Sequence, residues 1–178
     1  MTKLRAEGVR FSYFREDVDA VDLAYCRTAG VSEGDSILVL GFPMGDVGEP
    51  ENFVVVRHGS IARVRDTLLG RSNDLVLDAL VFPGNSGGPV VTQPSAVVAE
   101  LSGPTLGFQL IGVVKSYTAY SGRVRARPND RATIVIEQNS GLAQAHPVDF
   151  IRSALVELNE RVDRLSDPAC SDDIWSDS

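Results

Sequence analysis

Positive charge is scarce in this 178-residue chain, and lysine scarcer still, with Lys3 and Lys115 the only two. The formal net charge of −7 excludes a phosphate-backbone binder, which needs clustered Lys and Arg, so no nucleic-acid partner is expected. Long apolar runs are missing as well. None approaches the ~18 residues of a membrane span. The start "MTKLRAEGVRFSYF" has no apolar core of the secretory kind, so as written the chain reads as cytoplasmic, with export open if a segment precedes it. Cysteines number two; Cys26 ends an apolar run and Cys170 lies in a polar tail, which argues against a disulfide scaffold. Histidines also number two, His58 and His146, and that shortage governs everything said about catalysis below.

Hydrophobic residues make up 43% and charged residues 23%, the balance of an ordinary globular core. The apolar residues come in short alternating runs with Gly and Pro between them: "GVRFSYF", "AVDLAYC", "SILVLG", "FVVV", "SIARV", "DLVLDALVF", "PVVT", "AVVAEL", "FQLIGVVKSY" and "ATIVIE". "FVVV" and "SIARV" are read as two strands broken at Arg57-His58-Gly59. Many short strands without a βαβ rhythm predict an all-β barrel or sandwich. One helix is predicted after Pro147, with Phe150, Ile151, Leu155, Leu158, Val162 and Leu165 on a single face. The end "SDPACSDDIWSDS" is polar and acidic, a composition that favours disorder.

The stretch "VFPGNSGGPVV", Val81 to Val91, carries chemistry. Acyl transfer by serine needs a sharp turn that projects the hydroxyl, N–H donors converging on the oxyanion, and a base for the proton. Gly84 reaches backbone conformations closed to residues with a Cβ, and its N–H and that of Ser86 are the candidate oxyanion donors. The stretch also fits the G-x-S-x-G elbow of α/β-hydrolases, but a helix must follow that elbow at once, and here "GGPVVTQP" follows.

"LDALVFPGNSGGPVV" and "QLIGVVKSY", after "VDLAY" and "VSEGDSILVLGFPMG", resemble the trypsin/chymotrypsin-like serine peptidases, most of all the bacterial type that includes the high-temperature-requirement proteases. "SGLAQAHPVDFI" is similar to that type's closing strand and C-terminal helix start. The resemblance implies a chymotrypsin-like antiparallel β-barrel fold acting on polypeptide substrates, with no cofactor and no metal. It assigns Ser86 as nucleophile, Gly84 and Ser86 as the oxyanion hole, and Asp22, on a strand beside Ala20 and Ala24, as the carboxylate that orients the base. Leu80 aligns with the floor of the primary specificity pocket and implies apolar side chains before the scissile bond. Asn85 stands where the digestive enzymes carry Asp, so their N-terminal activation route is not expected.

The family's order is His, Asp, Ser, and no His precedes Asp22. His58, in "VVVRHGS", and His146, before Pro147, both fall outside that order. Removing the base of a serine protease costs roughly 10⁶ in kcat. The expected organisation is therefore a first-barrel remnant over 1–30, a complete second barrel over 31–147, a helix over 148–165 and an acidic tail over 166–178. Two functions remain open: a serine endopeptidase fragment, inactive as written, or a catalytically dead protease-like module that binds peptides.

Overall fold

A computed structural model describes residues 8, 12–46, 48, 52–93, 108–125 and 133–166. Six strands form a closed antiparallel barrel: β1 (Ser36–Gly41), β2 (Val55–Arg63), β3 (Leu75–Asp78), β4 (Pro89–Thr92), β5 (Leu110–Arg125) and β6 (Thr133–Pro147). Their order around the wall is β1-β2-β3-β6-β5-β4. Three helices accompany them: α1 (Leu23–Thr28), the single turn α2 (Arg65–Leu68), and α3 (Val148–Ser166). The chymotrypsin-like barrel and its C-terminal helix are thus as expected.

Period-two patterning sorts the side chains. On β1, Ile37 and Val39 are fully buried inside the barrel, beside Ile61 of β2, Leu75 and Leu77 of β3, Val90 of β4 and Val114 of β5. Among the described residues β6 contributes the small Ala143 and Ala145 to this interior. Leu38 and Leu40 point the other way and join Val91, Leu110, Ala20, Val148 and Ile151 in a second cluster. That outer cluster seats the N-terminal segment and the start of α3 against the barrel.

Three expectations need correction. "VDLAY" is not a strand: Leu23–Thr28 is helical, and Asp22 is its N-cap, accepting from Tyr25 N–H at 2.7 Å. Asp is among the best N-cap residues because its carboxylate satisfies a donor that the first turn leaves open. Ser12–Phe14 of "GVRFSYF" form no strand, and Val9–Phe11 lie outside the described residues. The break at Arg57-His58-Gly59 is absent, since β2 runs through it. Gly59 serves a close approach instead: a Cβ there would lie 2.6 Å from Asp78 O and 2.8 Å from Ala79 Cβ. The run "AVVAEL" and the acidic tail from 167 onward lie outside the described residues.

Beyond the barrel, β5 and β6 continue as a two-stranded ribbon paired as far as Arg125↔Thr133. β3 leaves β6 at Leu142, and β4 leaves β5 at Val113.

Candidate active site

The segment Ala79–Gly88 connects β3 to β4 and carries Ser86 at its turn. Backbone sterics fix its shape. Gly84 sits at φ +96°, and a Cβ there would lie 2.4 Å from Phe42 O. Met44 N–H donates to Pro83 O at 2.6 Å, so the turn after β1 and the serine loop brace one another. Gly88 is pressed as closely, its missing Cβ falling 2.2 Å from Leu40 O. Only glycine fits either place.

Asn85 locks the loop from inside. It is 1% exposed, and its Oδ1 accepts from Phe82 N–H at 3.1 Å. Its amide nitrogen packs against Gly41, where a Cβ would come within 2.7 Å. With Asn85 turned inward, its neighbours Gly84 and Ser86 are exposed. Gly87 N–H donates to Val114 O at 2.8 Å, and the Ser86 hydroxyl lies 3.5 Å from Lys115 O. The N–H groups of Gly84 and Ser86 have no acceptor among the described residues. Ser86 thus presents an exposed hydroxyl beside two N–H groups that bond nothing among the described residues.

Asp22 is not brought to this loop. Val21 N–H donates to Leu110 O, whereas Gly87 N–H donates to Val114 O. Four residues of β5 separate those anchors, about 13 Å at the rise of a strand. The Asp22 carboxylate is also engaged, holding Arg152 Nη1 at 2.8 Å besides capping α1. Arg152 bonds Glu16 as well, and both carboxylates raise its pKa above the ordinary arginine value.

Neither histidine is hydrogen-bonded to Ser86, whose hydroxyl faces Lys115 O. His58 is exposed on β2, opposite Leu38. His146 Nδ1 lies 3.0 Å from Asp74 Oδ1, and its ring packs on Phe150 at 5.1 Å. Across the wall His146 pairs with Val113, and Val113 with Pro89. Those are two inter-strand steps of about 5 Å each, with Ser86 beyond them, whereas a base works within roughly 3 Å. Nothing in the sequence pointed to Asp74 bonding Lys115 Nζ at 2.7 Å with His146 beside it. Those residues come from three separate parts of the chain and meet only when the barrel closes.

Leu80 is not a buried floor. It is 52% exposed and lines an open groove of about 540 Å³ with Arg57, His58, Gly59, Ser60, Asp78 and Ala79. Arg57 stacks over the Phe82 ring at 5.0 Å, which joins that groove to the base of the serine loop.

A closed six-stranded antiparallel barrel that displays a serine on a Gly-Asn-Ser-Gly-Gly turn defines the chymotrypsin-like class of serine hydrolases. A family model described as the trypsin-like peptidase domain matches residues 9–99, half of the 178-residue chain, and the chain belongs to that family. It is a serine-peptidase-type domain, whose substrates are polypeptides. Among the described residues no helix is long and apolar enough to cross a membrane.

Proposed function

We propose that this domain is a serine-type endopeptidase in which Ser86 forms the acyl-enzyme, and that its 178 residues hold the nucleophile half of the machinery without the general base. One observation carries the reading: the exposed Ser86 hydroxyl stands beside the Gly84 and Ser86 N–H groups, which donate to nothing else in the described structure. In this mechanism the Ser86 oxygen attacks the scissile carbonyl, and the resulting oxyanion accepts from those two N–H groups. Leu80 offers an apolar contact to the residue before the scissile bond. Asp22 acts as a helix cap and the partner of Arg152, and takes no part at Ser86.

Among the described residues the acceptor for the hydroxyl is the Lys115 carbonyl, which is no base, while His146 lies beside Asp74 and His58 stands on β2 opposite Leu38. The same observation favours the second reading, a protease-like module that binds an extended peptide without cleaving it.

Fluorophosphonate labelling separates the two. The endopeptidase reading expects slow labelling that Ser86→Ala abolishes and that added imidazole accelerates by supplying the base. A binding module expects no labelling with or without imidazole. Fast labelling without imidazole would show that a base does act in this chain.

A further inference from the structure

β2 carries a charge where its pattern calls for an apolar side chain. Arg57 shares the inward face of β2 with Ile61 and is registered against Val39, and both of those are buried in the barrel. Its guanidinium lies over the Phe82 ring and lines the same groove as Leu80. Arg57 Nε is shielded from solvent and meets no acceptor. Among the described residues the guanidinium makes no ion pair either. Arg15, Arg63, Arg65, Arg152 and Arg161 each hold a carboxylate, and four of them are exposed. Half-buried Arg57 holds none. A guanidinium drawn out of water without an acceptor costs free energy that an incoming carboxylate would recover.

From this unmet charge we infer that Arg57 is a specificity residue, whose guanidinium receives an Asp or Glu side chain of the polypeptide lying in the groove. That role rests on polypeptide uptake and is the same whether Ser86 is acylated or the peptide is only bound. Phe82 takes one face of the guanidinium, which leaves its planar edge for a two-point bond to a carboxylate. The groove, about 540 Å³ and open, has room for a side chain, and exposed Leu80 offers an apolar wall to its methylenes. Asp78 lines the groove too and opposes an anion. It is registered against Ser60, however, three residues of β2 from Arg57, about 10 Å at the rise of a strand. That is roughly a Debye length in physiological salt, so Asp78 does not cancel the attraction at Arg57. His58, the other titratable group there, can only add positive charge.

Peptide pools blocked at both ends, degenerate around a central Glu, Gln or Lys, test this by fluorescence anisotropy against the Ser86→Ala chain. That background removes acylation, so a failure of the peptidase reading leaves the outcome untouched. The Glu pool should bind about 10-fold or more tighter than the Gln pool, the scale of a hydrogen bond to a charged group. Arg57→Gln should bring the two pools level. Arg57→Lys keeps the charge and loses the fork, so it should retain only part of the preference. Arg57→Glu should move the preference to the Lys pool. Equal binding of the Glu and Gln pools to the Arg57 chain, a Glu preference undiminished in Arg57→Gln or Arg57→Lys, or no binding by any pool at millimolar peptide would each overturn the inference. So would a Gln pool with a free C-terminal carboxylate that matches the blocked Glu pool, since the groove would then read a chain end.

Discussion

The loop around Ser86 and the segment around Asp22 are both irregular backbone beside one barrel, yet different forces hold them. The loop is shaped by excluded volume: Gly84 and Gly88 lie against the carbonyls of Phe42 and Leu40, and Asn85 is sealed beneath them. Ser12–Gly30 is docked by apolar packing of Ala20, Val21, Leu23 and Cys26 and tied on by polar clips. Ala20 makes a single parallel bridge to Leu110, Asp149 accepts from Leu23 N–H at 3.0 Å, and Arg152 reaches back to Asp22 and Glu16. A shape enforced by sterics is rigid and written into adjacent residues. One docked by packing and side-chain clips depends on distant partners, Asp149 and Arg152 among them, more than a hundred residues away.

Gly84→Ala presses hardest on this contrast. It puts a Cβ at positive φ and 2.4 Å from Phe42 O, so it should cost about 3 kcal/mol or more by denaturant titration and remove labelling of Ser86. Asn85→Ala comes next, at about 1–3 kcal/mol, because it strands the part-buried Phe82 N–H and leaves a void beside Gly41. Asp22→Ala should cost only about 1 kcal/mol, the worth of an N-cap, and leave the labelling rate of Ser86 unchanged. A fall of about 10⁴ in that rate, the scale of losing a triad carboxylate, would break the contrast by placing Asp22 in the site.

The smallest effect concerns Glu33, which faces α2 from the loop before β1. Backbone N–H groups of Val64 and Arg65 donate to its carboxylate and hold its pKa below the ordinary 4.5. A depressed folded pKa stabilises above pH 4.5 and loses that contribution as pH falls through the folded value. Glu33→Gln should therefore lower the thermal midpoint slightly at neutral pH, with the difference closing in acid. A difference that stays constant with pH would mean the charge is not what matters.

Much of the barrel was legible because strand alternation is local. "SILVLG" and "PVVT" match β1 and β4 residue for residue, and Pro147 marks the start of α3. The serine loop was legible for the same reason, since its glycines and Asn85 are the constraint itself. "AVDLAYC" misled because an alternating run of seven residues also fits a short helix, and the choice rests on Asp149 and Arg152, which meet it only in the folded chain. The exposure of Leu80 was not legible, because it lies just past the end of β3 in the connection to β4.

By itself, then, the sequence determined an all-β fold, a glycine-braced serine loop at Ser86 and the lack of a histidine before Asp22. Each follows from side-chain identity over a few neighbouring positions. Only the tertiary structure decided that Asp22 caps a helix, that His146 lies beside Asp74, and that Leu155 and Leu158 of α3 are exposed. Those outcomes depend on which distant backbones come within a few ångströms, and barrel closure sets that distance rather than any local pattern.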